Sequence, residues 1–299
     1  MDCVEFPHLA RAIQRSVIKT GQRIKRVANM TNNATDATER TLQKSKIHEA
    51  WVSNYRTSEN EQFYDMAFDR IAAAFSAPTG SMVLDAGCGS CAKSRKLVDR
   101  GFHVIGTDLS ESALAIARES LEGTHYAENI QLEQQNLLGL TFASGSFRYA
   151  VCWGVLMHVP EVSKAIAELA RIMTPNGLLA ISEGNMKSMQ SRFFRLLKRL
   201  FGLGHAEVIF TEAGVENWEE TDDGQLMTRQ ADMQWLIREF QKHGLQLESR
   251  VAGQFSELYW LVPTRVLKRL IHAFNTLWFR HIRAPGPAFG NILIFRKQM

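Results

Sequence analysis

Residues 83–91 read Val83-Leu84-Asp85-Ala86-Gly87-Cys88-Gly89-Ser90-Cys91. An apolar run enters a turn of small residues, and a helix-forming stretch, Ala92 to Arg100, leaves it. This pattern predicts the first strand, turn and helix of a parallel α/β sheet. Gly87 and Gly89 let the backbone approach a ligand without a Cβ in the way. The helix that follows offers unpaired N–H groups at its start. Asp108, at the end of the next apolar run, is placed to accept hydrogen bonds from a ribose. The unit is predicted to handle a nucleotide.

Outward from that unit, the chain has 299 residues, enough for one large domain or a domain with additions. The net charge of +4 is too weak to argue for nucleic acid. Of the four cysteines, Cys88, Cys91 and Cys152 fall near predicted strand ends, which suits reduced thiols in a cytoplasmic protein. Cys88-x-x-Cys91 has redox or metal-ligand spacing, but no second Cys/His pair supports a metal, and none is expected. No signal pattern opens the sequence, and no run reaches the length of a membrane span.

Along the chain, residues 8–28 read as a basic amphipathic helix and 29–41 as a linker, so that 1–41 precede a main domain at 42–299. An aromatic-rich helical pattern fills 42–76 and stops at Pro78-Thr79-Gly80. Strands are expected at Met82–Ala86, His103–Thr107, Ile130–Gln134, Tyr149–Trp153 and Leu178–Ser182, alternating with helices at Ala92–Arg100, Glu111–Glu122 and Val162–Met173. Beyond Glu183 the alternation breaks. A helix at 187–203, an acidic patch from Glu212 to Asp223, and a helix at Arg229–His243 are expected. A sixth strand at Leu245–Val251, a basic amphipathic stretch at Thr264–Ile282 and a last strand at Asn291–Arg296 follow.

Two nucleotides fit the turn. Gly87-x-Gly89-x-x-Ala92 satisfies the relaxed dinucleotide fingerprint. S-adenosyl-L-methionine fits better. Asp85 beneath the turn would repel a pyrophosphate but balance an ammonium group. Asp108 suits a ribose diol. Asn136-Leu137 after the third strand is placed to meet an adenine. Trp153 to Val159 follows the fourth strand with a turn and an apolar wall.

Leu84 to Gly89, Gly106-Thr107-Asp108-Leu109-Ser110, Leu156-Met157-His158-Val159-Pro160 and Leu169 to Leu179 resemble the motifs of class I S-adenosylmethionine-dependent methyltransferases. The likeness is to the small-molecule branch similar to ubiquinone- and menaquinone-biosynthesis (type 11) enzymes. It covers residues 60–185 well and 225–299 in outline. It implies a Rossmann-like, seven-stranded, mostly parallel sheet with an antiparallel last strand. By the same resemblance Asp85, Gly87, Cys88 and Gly89 hold the methionine end and shape the turn. Asp108 takes the ribose with Leu109 beside the adenine, Asn136 and Leu137 flank the base, and Trp153 sits by the methionyl part. Two positions depart from the pattern: Cys91 replaces a third glycine, and Asn136 stands where an acidic residue is common.

Methyl transfer rests largely on in-line positioning of the acceptor, with a general base needed only for a hydroxyl or similar acid. His158 and Glu183 are the candidates. The insertions at about 184–225 and 252–289 leave from the carboxyl ends of the strands and, with the N-terminal helices, are expected to form a helical lid. Their apolar and basic faces suit an apolar or amphiphilic small-molecule acceptor, O-methylated, or peripheral contact with a membrane. No motif for nucleic-acid amines follows the fourth strand. Two other readings stay open: a non-catalytic cofactor-binding partner module, and an NAD-dependent oxidoreductase.

Overall fold

A computed structural model describes residues 38–44, 57–201, 207–221, 224–262 and 264–299. The basic stretch at 8–28, and Trp51 and Tyr55 of the aromatic pattern, lie outside the described residues. Residues 38–42 are helical, where a linker is expected from sequence.

The sequence period dictates the layers. Helix α1 (Ser58–Phe75) is capped by Thr57, whose hydroxyl accepts from the Asn60 N–H, and it buries Phe63, Tyr64, Ala67, Phe68, Ile71 and Phe75 at helical spacing. Then come β1 (Met82–Ala86), α2 (Ala92–Val98), β2 (His103–Asp108), α3 (Glu111–Leu121), β3 (Ile130–Gln134), β4 (Phe147–Trp153), α4 (Val162–Ile172) and β5 (Met173–Gly184). Both faces of the sheet are covered. Leu84, Ala150, Cys152, Leu179, Ile181 and Phe295 face α4 and its neighbours. The alternate residues Val83, Val151, Ala180 and Ile294 face α1, α2 and α3.

The sheet has seven strands in the order β3-β2-β1-β4-β5-β10-β9, where β9 is Leu245–Ala252 and β10 is Gly290–Lys297. β1 to β5 are mutually parallel. β10 runs antiparallel to both β5 and β9, so the last strand inserts one place in from the edge. This is the Rossmann-like arrangement the motifs imply.

The first insertion is only half helical. Helix α5 (Met189–Phe201) is followed by an antiparallel meander of β6 (Glu207–Thr211), β7 (Gly214–Thr221) and β8 (Gly224–Ala231). Glu216, Glu219 and Glu220 of the expected acidic patch therefore lie in strand β7, and Arg229 lies in β8 and not at a helix start. The helix there, α6 (Met233–Lys242), begins one turn later because Asp232 caps it, accepting from the N–H groups of Gln234 and Trp235. The second insertion is helical: a 3-10 turn at Leu258–Trp260, α7 (Arg265–Leu277), and a single π-helical turn at Trp278–Ile282.

Candidate active site

A cavity of about 510 Å³ opens at the carboxyl ends of the parallel strands, and every site residue expected from sequence lines it: Asp85, Gly87, Cys88, Gly89, Asp108, Leu109, Asn136, Leu137, Trp153, His158 and Glu183. The turn after β1 explains its glycines. Gly87 has φ +81, and a Cβ there would lie 2.3 Å from Val155 Cγ2. Gly89 has φ +54, and a Cβ there meets nothing within 4 Å. Cys91 occupies the αL region at φ 61 immediately before α2, the backbone state in which a glycine is ordinarily found. Cys88 and Cys91 are free and buried. A hydrogen bond with Cys91, and burial after it, push the Cys88 thiol well above its ordinary value, which disfavours a thiolate ligand at Cys88.

The carboxylates are fixed from below. Asp85 is buried and accepts the Ser94 hydroxyl at 2.6 Å. Burial pushes it up to about 6, against the lowering effect of that hydrogen bond. Asp108 accepts the Gly89 N–H and the Ser110 N–H, each at 2.9 Å, and so ties the glycine turn to the start of α3. Asn136 is used differently from expectation: its Oδ1 accepts the Leu138 N–H at 2.8 Å and its Nδ2 donates to Glu39 at 3.0 Å. Glu39, from the short helix at 38–42, thus brings a carboxylate to the place where the motif departs from an acidic residue.

The far wall is aromatic and acidic. Trp153 packs between Tyr64 and Phe68, with centroids 5.9 and 5.2 Å away. Glu183, 4% exposed at the end of β5, is pushed up to about 8 by burial, while Arg229 and the N–H groups of residues 155–157 pull the other way. Its Oε1 has no hydrogen-bond partner. His158 donates its Nδ1–H to the Met227 carbonyl of β8 at 2.9 Å. That bond fixes the ring's orientation and tautomer from the meander and leaves Nε2 as the nitrogen that accepts a proton. Sequence reasoning missed several lining residues: Glu39, Lys93 beside the Tyr64 ring, Glu219, Leu226 and Thr228 of the meander, and Glu257. None of these belongs to a motif; they arrive from insertions. Among the described residues, seven carboxyl side chains line the cavity against one ammonium, Lys93.

Residues 83–177 match the family of the methyltransferase domain. A ubiquinone biosynthesis O-methyltransferase of Hahella chejuensis is 35% identical over 36% of this chain and 44% of its own length. A 2-methyl-6-phytyl-1,4-hydroquinone methyltransferase of a Synechocystis is 26% identical over 70% of this chain and 57% of its own. The chain thus spans about half the length of the curated relatives it matches. Among solved structures, the magnesium protoporphyrin IX methyltransferase of Synechocystis, with bound S-adenosylhomocysteine, superposes with a TM-score of 0.52 at 18% identity over 79% of this chain and 84% of that one. At that identity the likeness shows the fold.

Proposed function

We propose that this chain, whose residues 83–177 form a class I S-adenosylmethionine-dependent methyltransferase domain, methylates an oxygen of an apolar, quinone-related small molecule. One observation carries the choice of methyl donor. Among the described residues the cavity beneath the glycine turn is lined by seven carboxyl side chains and a single ammonium, an acidic excess that persists with Glu183 protonated; it suits a ligand bearing sulfonium and ammonium charges and opposes a dinucleotide pyrophosphate. S-adenosylmethionine supplies an activated methyl group on a sulfonium leaving group. The chain's residues then bind and orient. Asp85, held by Ser94, faces the methionine end. Asp108 fixes the turn and accepts from the ribose. Asn136 and Leu137 flank the base, Glu39 among them. Trp153, braced by Tyr64 and Phe68, walls the reacting end. The quinone-related acceptor follows from the relatives' substrates and from the apolar side of the cavity.

The experiment is equilibrium binding of S-adenosylhomocysteine and of NADH to the purified chain, then transfer to a prenylated hydroquinone. S-adenosylhomocysteine binding that Asp85→Ala weakens at least tenfold, with methyl ether as product, is expected. Tight NADH binding without S-adenosylhomocysteine binding would overturn the reading. Donor binding without transfer to any phenol would leave a non-catalytic module.

The same reading includes a peripheral membrane contact. Eleven of the fourteen exposed large apolar side chains among the described residues lie on α5, α7 and their flanks; Phe193, Leu200, Val266 and Leu270 are each more than half exposed. Residues 184–206 and 258–289 hold ten Lys and Arg and no Asp or Glu. An apolar face flanked only by cations matches an anionic lipid surface, and it stands beside the cavity that an apolar acceptor must reach. Among the described residues no helix is long and apolar enough to cross a membrane. Co-sedimentation with phosphatidylglycerol vesicles, weak with phosphatidylcholine and lost in Leu270→Glu, is expected; equal sedimentation of the variant would rule the contact out.

A further inference from the structure

The acceptor side of the cavity carries a carboxylate that no motif marks. Glu257 follows β9 in the loop that leads to the 3-10 turn, and it lines the cavity. Its backbone is anchored from several elements. Gln190 Oε1, from α5, accepts the Glu257 N–H at 2.8 Å and the Ser256 hydroxyl at 2.9 Å. Asn275 of α7 accepts the Ser256 N–H at 3.0 Å and donates to the Ser256 carbonyl at 2.8 Å. Gln254 donates to Asn60 of α1 at 2.9 Å and accepts the Tyr259 hydroxyl at 3.2 Å. This many buried side-chain bonds around one short loop fix where the following side chain points. Yet among the described residues the Glu257 carboxylate itself has no hydrogen-bond or ion-pair partner. A position held so firmly, ending in an uncommitted carboxylate on a cavity wall, is built for a ligand.

The two candidates read from sequence are placed differently. His158 is bonded through Nδ1 to Met227. Glu183, pushed up to about 8, favours its protonated form at neutral pH and sits against the N–H groups of residues 155–157. Glu257 is pushed up to about 7, by burial alone.

We propose that Glu257 is the general base that takes the proton from the acceptor's hydroxyl as that oxygen is methylated. The inference rests on the methyl-transfer reading above. The O–H proton passes to the Glu257 carboxylate as the oxygen forms its bond to the methyl carbon. The carbon–sulfur bond breaks with its electron pair leaving on sulfur. The products are a methyl ether, a neutral thioether and a protonated Glu257, which returns its proton to solvent.

The test uses the full chain and Glu257→Gln, which keeps the backbone bonds and the side-chain shape. Two acceptors are compared: catechol, un-ionised at neutral pH, and para-nitrophenol at pH 8, already largely ionised. The variant is expected to lose about 10²- to 10⁴-fold in kcat with catechol, to lose far less with para-nitrophenol, and to keep S-adenosylhomocysteine affinity. A readout independent of turnover is carboxyl infrared difference spectroscopy. Asp85, Asp108, Glu61, Glu183, His158 and Lys93 share the wall, so spectra are taken against the variant. Wild type is expected to show a carboxyl band that titrates near neutrality and shrinks when catechol binds, because the phenol O–H donating to Glu257 favours its carboxylate form; the variant lacks it. An equal penalty for the two phenols, or the same band in the variant, overturns the proposal. Failure of both proteins to bind S-adenosylhomocysteine overturns the methyl-transfer reading instead.

Discussion

Arg229 Nη2 of β8 lies 2.8 Å from Glu216 Oε1 of β7, and both side chains are buried. The same guanidinium donates to the carbonyls of Leu156, Val159 and Pro160 at 3.2, 2.8 and 3.1 Å. One side chain therefore clamps the meander to the turn that follows β4. Arg229→Met leaves Glu216 buried without its ion-pair partner and takes a donor from three carbonyls, of which that of Leu156 keeps the Val159 N–H. It is expected to cost about 3–5 kcal/mol, measured as a drop in the urea midpoint at unchanged slope. The double variant Arg229→Met, Glu216→Leu is expected to recover part of that loss. A single-variant cost below about 1 kcal/mol would contradict the clamp.

Glu183 predicts how stability follows pH. Its folded pKa of about 8 lies above its ordinary value of 4.5. The folded state thus binds more protons than the unfolded state in that window. The stability linked to this group is complete below the ordinary value and is lost as pH rises through about 8. Glu183→Gln removes that slope. The variant is expected to gain on wild type between pH 5 and pH 8 by up to about 4 kcal/mol in ligand-free chemical unfolding. Parallel pH curves for the two proteins would refute the assignment. Asp85, raised to about 6, leaves a smaller slope of the same sign in both.

The two glycines of the turn are expected to fail differently. Gly87→Ala forces a Cβ into Val155 and costs folding stability by more than the 1–2 kcal/mol of a strained φ. Gly89→Ala meets no protein atom and adds a methyl group at a cavity-lining position. It is expected to spare more of the melting temperature while lowering S-adenosylhomocysteine affinity at least tenfold by calorimetry. Equal affinity in Gly89→Ala would show that the donor does not pass this turn closely.

Phe68 is fully buried with its ring 5.2 Å from that of Trp153. Phe68→Ala is expected to cost about 3–5 kcal/mol through the space it leaves. It should also free Trp153, seen as a red shift and faster quenching of tryptophan emission, with weaker donor binding.

The sheet was legible because two faces buried by helices leave near-continuous apolar strands between small-residue turns, and no other element competes for that pattern. Asp108 and Asn136 were legible because strand ends place them. The meander was not. Glu216, Glu219 and Glu220 sit in β7 among Val215, Asn217 and Trp218, and their charge hid the strand. The available signal was the alternation of Val215, Asn217 and Trp218 with acidic residues, and Trp218 pairs with Met227 of β8. Arg229 looked like a helix residue because its ion pair and its three carbonyl partners lie far away in sequence. Glu257 was invisible for the same reason: its position depends on Gln190 and Asn275, which only the folded insertions bring together.

Gly290 pairs with Gly184, so the β5–β10 ladder closes a ring of chain that contains both insertions. The entropy of closing such a ring grows only with the logarithm of its length, about 0.6 kcal/mol per doubling. Segments between these two glycines that carry neither the Arg229 clamp nor β9 can be lengthened, shortened or exchanged at little cost to the sheet, while the glycine turn after β1 keeps its own supports. A fold wired in this way separates the part that holds the common reagent from the part that selects what it reacts with, and lets the second change its chemistry independently of the first.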